Sequence, residues 1–250
     1  SAGVWRQRGA KITPVGGVGP QFGRSAAISG AGDVAFIGGA GDVGGVGAAW
    51  AFVRRVQRDF NLDARADVIW RDTSGAIAIS ILNNPFVLAQ LIGYVPSNWS
   101  IAGIGDFDGD GKSDILWRHT SGLMAAWFMN GTTITSSPLT GNVSTNWTIA
   151  GVGDFNSDGK ADILWRETSG VVAVWLLNNF TLLSAQVVGS APVAWSIEGV
   201  GDFNNDGKTD VLWRGPAGEV ALWMMNGTTL VAGPQIGAAP LTTVIQRMTD

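Results

Sequence analysis

The chain has 250 residues, enough for one large all-β domain or two small ones. Sixteen Lys and Arg against twenty Asp and Glu leave a net charge of −4 with no basic run, which excludes a nucleic-acid surface. There is no cysteine, so disulfides and thiolate metal sites are excluded, and no apolar run is long enough for a membrane-spanning helix.

Thirty-six glycines and twelve tryptophans against one tyrosine read as many short strands joined by tight turns. Residues 1–49 show this only loosely. The segment "GVWRQRG" at 3–9 is similar to "DVLWRGPAG" at 210–218. From residue 50 a repeat takes over. Asp106, Asp154 and Asp202 recur every 48 residues, and a weaker copy starts at Asp59, 47 residues before Asp106. Trp70, Trp117, Trp165 and Trp213 each precede an arginine. Trp99, Trp147 and Trp195 each precede Ser or Thr. The repeats are bounded at 50–98, 99–146, 147–194 and 195–240.

Within one repeat, "SDILWRHTSG", "LMAAWFMNG", "TTITSSPLT" and "NWTIAGVGDF" are strand-like runs separated by turn signals such as Asn-Gly. No helical period is sustained. Four short strands per unit predict a β-propeller blade. Residues 241–250, "LTTVIQRMTD", align with the first strand of a repeat, and Asp250 falls 48 residues after Asp202. The expectation is an all-β, five-bladed β-propeller of four-stranded antiparallel blades. The N-terminal part (1–49) and the C-terminal strand (241–250) share the closing blade, which removes free sheet edges.

Each repeat opens on an acidic loop. In "GDFDGDGKSDILW", Gly105 to Trp117, four aspartates stand within nine residues. Carboxylates of Asp106, Asp108, Asp110 and Asp114, with the carbonyl of Lys112, are spaced to converge on one hard cation. Calcium takes 6–8 oxygens, and the loop glycine allows the sharp turn. The second loop offers Asp154, Asn156, Asp158, the Lys160 carbonyl and Asp162. The third offers Asp202, Asn204, Asp206, the Lys208 carbonyl and Asp210. The first copy, Asp59, Asn61, Asp63, the Arg65 carbonyl and Asp67, has Ala64 in place of glycine. The expectation is three calcium sites and a possible fourth, the rival being turn networks without metal. An EF-hand is excluded, because Trp117 occupies the place of its bidentate glutamate and a strand follows.

Thirteen of the twenty acidic residues lie in these loops, which leaves little for acid–base catalysis. His119 has no evident carboxylate partner, so no Ser-His-Asp or zinc arrangement can be built, and no enzyme activity is expected. His119 and Glu167 share one place in the repeat with Asp72 and Gly215, a pattern read as solvent-facing. Sequons at Asn98, Asn130, Asn142, Asn146, Asn179 and Asn226 are read as turn chemistry.

With these loops the chain resembles the FG-GAP and VCBS repeats, the units of the integrin alpha-subunit propeller. Phe22-Gly23 and Gly38-Gly39-Ala40 fit the family pattern more loosely and carry no acidic loop. The resemblance implies calcium bound where a blade's first two strands join. It also implies a secreted or cell-surface protein, since the family includes a fungal lectin with sugar sites between blades. Ligand sets of one stacking and two polar side chains are then expected: Arg118, Trp127 and Asn130; Arg166, Trp175 and Asn178; Arg214, Trp223 and Asn226. The first repeat has Arg71 and Asn83 but Ser80 in the tryptophan place. Trp99, Trp147 and Trp195 form a second candidate group. The expected partner is a glycan, or alternatively a surface protein, with an oligomer possible. A non-catalytic domain of a larger enzyme is the remaining alternative.

Overall fold

The computed structural model describes residues 22–28, 34–39, 48–53, 58–82 and 89–240. The segments 3–9 and 241–250, assigned above to the closing blade, and Asn83 lie outside them. All described regular elements are β-strands. Two units are distinguished, Ser1–Val56 and Gln57–Asp250.

In the first unit, β1 (Phe22–Ile28), β2 (Val34–Gly39) and β3 (Ala48–Val53) form a three-stranded antiparallel sheet. Residues 50–53, placed above at the start of the first repeat, therefore pair with β2.

The second unit repeats one sheet. Its first copy holds β4 (Val68–Arg71), β5 (Ala76–Ser80) and β6 (Gln90–Tyr94). The next holds β7 (Trp99–Gly105), β8 (Asp114–His119), β9 (Leu123–Asn130), β10 (Thr133–Ser136) and β11 (Leu139–Asn142). The third is β12 (Trp147–Gly153), β13 (Asp162–Glu167), β14 (Val171–Asn178) and β15 (Thr181–Ser190). The fourth is β16 (Ser196–Gly201), β17 (Asp210–Arg214), β18 (Glu219–Asn226), β19 (Thr229–Ala232) and β20 (Gln235–Ala238). Strands follow one another antiparallel in chain order. The fourth position is one strand in β15 but two in β10–β11 and β19–β20. Pro138 and Pro234 stand at the two breaks, where a residue without an N–H belongs on an outer strand.

The "ILW" run of β8 is buried throughout, with no alternation. The reason is that this sheet is covered on both faces. Ile115 and Trp117 join Phe60, Ile77 and Ile79 of the preceding repeat, whereas Leu116 joins Ile163 and Trp165 of the following one. The first strands crowd each other: a Cβ on Gly103 would lie 2.4 Å from Val152, and one on Gly151 would lie 2.6 Å from Val200. Side chains at these places would drive successive sheets apart.

Arginines tie the far end of each sheet to the next. Arg118 donates to the carbonyls of Val143 and Ser144 and lies 4.8 Å from the ring centre of Trp165. Arg166 donates to the carbonyls of Pro192 and Trp195 and lies 4.9 Å from Trp213. Arg71 repeats the arrangement over Trp117. Charge-assisted bonds and a desolvated cation–π contact together predict a loss of about 2–4 kcal/mol for Arg166→Ala. Arg166→Lys, which lacks the planar fork, recovers less than half of it. Urea denaturation monitored by tryptophan fluorescence measures both.

Candidate functional site

The acidic loops fold around their first carboxylate. Asp59 accepts the N–H groups of Asn61, Leu62, Asp63 and Ala64. Asp106 accepts those of Gly109 and Gly111, Asp154 those of Asp158 and Gly159, and Asp202 those of Asp206 and Gly207. Such wrapping needs left-handed backbone at two places. The sixth loop residue has a φ of 91° at Gly111 and of 64° at Ala64. The fourth is Gly109 in one loop but Leu62, Ser157 and Asn205, all at positive φ, in the others. That second requirement has no signature at Leu62 and Ser157, residue types that do not favour positive φ.

The last aspartate of each loop is buried: Asp114, Asp162 and Asp210 have no exposed surface, and Asp67 is 3% exposed. Both oxygens of Asp114 take backbone N–H bonds, from Phe107 in the loop and Met129 on β9, at 2.8 Å each. Asp162 bonds Phe155 and Leu177, Asp210 bonds Phe203 and Met225, and Asp67 bonds Phe60 and Leu82. Burial pushes Asp114 and Asp162 up to about 7, against the pull of these bonds, and raises Asp67, Asp154 and Asp210 as well.

Ligand oxygens of Asp106, Asp108 and Asp114 lie within 4.8 Å of one another. That span accepts one cation at 2.3–2.6 Å from each, so this donor set fits a metal. Carboxylates keep lone pairs beyond those used by the N–H groups. Asp110 accepts the Lys112 N–H and pairs with the Lys112 ammonium at 2.6 Å. In the other three loops the third residue is an asparagine whose amide nitrogen faces the fifth-position carboxylate: Asn61 to Asp63, Asn156 to Asp158 and Asn204 to Asp206. Arg65, Lys160 and Lys208 stand in the place of Lys112, and their backbone N–H groups bond the fifth-position carboxylates in the same way.

The expected ligand trios are not brought together. Arg118 pairs across the sheet with Met124, and Asn130 lies six residues further along β9, about 20 Å away at ordinary strand rise. Arg166 and Asn178 on β13–β14, and Arg214 and Asn226 on β17–β18, are separated alike. The arginines serve the inter-repeat junctions, Arg214 through the Pro240 carbonyl. Asn130, Asn178 and Asn226 are exposed at strand ends. The turn after Asn130 is centred on Gly131 and Thr132, with positive φ at Gly131 alone, so the asparagine precedes the turn instead of forming it.

Tryptophans of the two candidate groups do converge. Trp99, Trp117 and Trp127 line a cavity of about 310 Å³ with Tyr94 and Leu139. Trp147, Trp165 and Trp175 line an equivalent one of about 240 Å³ with Val143 and Val187. Trp117 and Trp127 lie 5.0 Å apart edge to face, and Trp165–Trp175 and Trp213–Trp223 repeat the pair at 5.2 and 4.8 Å. The indole N–H groups of buried Trp117, Trp165 and Trp213 have no acceptor among the described residues. Trp99 also meets His119 at 5.0 Å, and His119 bonds Asn98. Glu167 takes the equivalent place, bonded by Asn146 and Ser169, whose hydrogen bonds hold its carboxyl below the usual range.

Two substitutions separate the roles within the loops. Asp114→Asn leaves one buried N–H facing an amide nitrogen, with an expected loss of about 2–3 kcal/mol that persists in chelator. Ala64→Gly relieves the left-handed alanine and gains about 1 kcal/mol. Thermal and urea unfolding with and without calcium test both.

An FG-GAP-like repeat model matches three overlapping stretches, residues 59–117, 106–165 and 154–213, each running from one acidic loop to the tryptophan after the next. No curated protein matches the chain. Solved structures similar to it include the β-propeller domain of Cps50 (Swd1) from Myceliophteria thermophila, with 11% identity, 88% of this chain and 75% of that one covered, and a TM-score of 0.47. The WD40 domain of Toxoplasma gondii coronin has 13% identity, coverages of 88% and 58%, and a TM-score of 0.43. The computationally designed Ika8 protein has 11% identity, coverages of 86% and 63%, and a TM-score of 0.42. With more than half of its length matched, and with the same acidic loop and buried aspartate in each copy, this chain belongs to the FG-GAP-like repeat family.

Proposed function

We propose that this protein is a calcium-stabilised, non-catalytic β-propeller lectin, secreted or displayed at a cell surface, that binds glycans at the tryptophan pockets between successive repeats. The observation that carries the reading is the recurrence of one tryptophan-lined cavity at the same place in consecutive repeats. An indole face suits the C–H face of a pyranose. The floor of each pocket is a buried indole, that of Trp117 or Trp165, with the half-buried Trp127 or Trp175 beside it. Repeated weak sites on one scaffold gain strength through multivalency.

Calcium belongs to the other end of the sheet in this reading. Asp106, Asp108, Asp110, the Lys112 carbonyl and Asp114 hold it, and the corresponding residues of the other loops follow. When bound, it supplies a positive centre that offsets carboxylate crowding. Among the described residues, the acidic ones outside the loops are engaged locally: Asp72 with Ser74, Glu167 with Ser169, Glu198 with Ser196 and Glu219 with Ala217. None of these pairings suits acid–base chemistry.

The five-bladed ring, closed by the terminal segments, is part of the same proposal. It is supported by Trp70, which is 54% exposed where Trp117, Trp165 and Trp213 are 1% exposed beneath the preceding repeat's arginine. A further blade at that edge would cover it.

A second reading, a module that binds a protein surface, draws on the exposed apolar rims of the pockets: Tyr94 at 67%, Leu139 at 66% and Val187 at 64%. A glycan array with the calcium-loaded protein separates the two. The lectin reading expects a defined sugar to bind, at least tenfold more weakly after Trp127→Ala or Trp175→Ala, with Arg118→Lys and Asn130→Ala changing binding little. A folded, calcium-loaded sample that binds no sugar overturns it in favour of the protein surface.

A further inference from the structure

The acidic loops touch one another in a fixed register. The eighth residue of each loop donates its backbone N–H to the first residue of the loop before it: Ser113 to the Asp59 carbonyl, Ala161 to Asp106 and Thr209 to Asp154, at 2.6–2.8 Å. A second bond links neighbours at two junctions, from Gly131 to the Phe60 carbonyl and from Gly227 to Phe155. Packing follows the same register. A Cβ on Gly111 would meet Leu62 at 3.1 Å, one on Gly207 would meet Ser157 at 3.1 Å, and one on Gly109 would meet Lys160 at 3.1 Å.

The bonded residues are not peripheral to the donor sets. The acceptor is the main chain of the first ligand, Asp106 or Asp154. The donor sits between the carbonyl ligand at position seven and the buried aspartate at position nine. Ordering one loop therefore fixes the acceptor that holds the donor side of the next.

From this chain of bonds we infer that the loops take up calcium in concert, each filled loop raising the affinity of both its neighbours. This rests on the cation reading above. Of the three loops with glycine at the sixth place, the one at Asp154 is the middle of the coupling, because it accepts from Thr209 and donates, through Ala161, to Asp106. The loop at Asp202 reaches Asp106 only through it.

The test uses the full chain, calcium itself and the backbone amide NMR signals of Gly111, Gly159 and Gly207, one for each loop. In the wild type the three signals move together, with a Hill coefficient above one. In Asp154→Ala, Gly111 and Gly207 each need about five- to tenfold more calcium, a range ordinary for coupled sites. Asp202→Ala shifts Gly159 more than Gly111. Asp158→Asn, which keeps the turn-forming oxygen, produces the same pattern at smaller size should Asp154→Ala not fold. Gly111 and Gly207 titrating at their wild-type midpoints in folded Asp154→Ala or Asp158→Asn overturns the coupling and leaves calcium binding intact. A wild type in which none of the three glycines responds to calcium overturns the cation reading itself.

Discussion

One buried carboxylate per repeat holds the loop side of this molecule together. Asp67, Asp114, Asp162 and Asp210 each spend both oxygens on backbone N–H groups, one inside the loop and one on the third strand or just beyond it. A carboxylate with no exposed surface is costly unless it is paired or fully hydrogen-bonded. Here the hydrogen bonds are main-chain bonds, so they fix backbone path as well as charge. The loop cannot swing away from its sheet without stranding two donors and an anion. Burial nevertheless raises Asp114 and Asp162 to about 7, which shows that the N–H groups alone do not fully offset desolvation. A cation among the same oxygens would act in the direction the raised values call for.

The opposite end of each sheet is held differently. There the Arg–Trp pairs carry the junctions: a guanidinium of one repeat caps the carbonyls at the end of its own sheet and lies on the indole of the next. The two devices are complementary. Loops couple neighbours through main-chain bonds and depend on acidic side chains. Arginines couple neighbours through a side chain and depend on an aromatic face. Between them runs a core in which the second and third sheets of this unit are covered on both faces, which is why their middle strands read as unbroken apolar runs.

Much of this is legible in the sequence because it repeats. A spacing of 48 residues, an aspartate ladder and Trp-Arg pairs declare the unit, its strands and its loops without reference to tertiary contacts. What is not legible is direction across a hairpin. Arg118 and Asn130 look like neighbours on a linear chain, but the antiparallel turn sends them to opposite ends of the sheet. Trp99 and Trp127, 28 positions apart, come together because the first and third strands flank the second. The left-handed conformation at Leu62, Ser157 and Asn205 is hidden for a different reason. Local bonds within the loop to Asp59, Asp154 and Asp202 impose it, so even Leu62 and Ser157, whose types do not favour it, adopt it. The fourth strand's division around Pro138 and Pro234 is visible only beside the unbroken strand of the third repeat.

The arrangement puts the loop contact and the tryptophan pocket on a single strand. On β9, Met129 meets the buried aspartate at the loop end, while Trp127 and Ala125, two and four residues back, line the pocket. Alternation along a strand puts these three on one face. Trp127 and Trp175 therefore each stand two residues from a main-chain bond to a loop aspartate. The residue paired with the first strand's tryptophan varies, His119 beside Trp99 and Glu167 opposite Trp147, while the loop end stays the same from repeat to repeat. A repeat built this way keeps its loop end constant while the residue paired with the first strand's tryptophan changes from one repeat to the next.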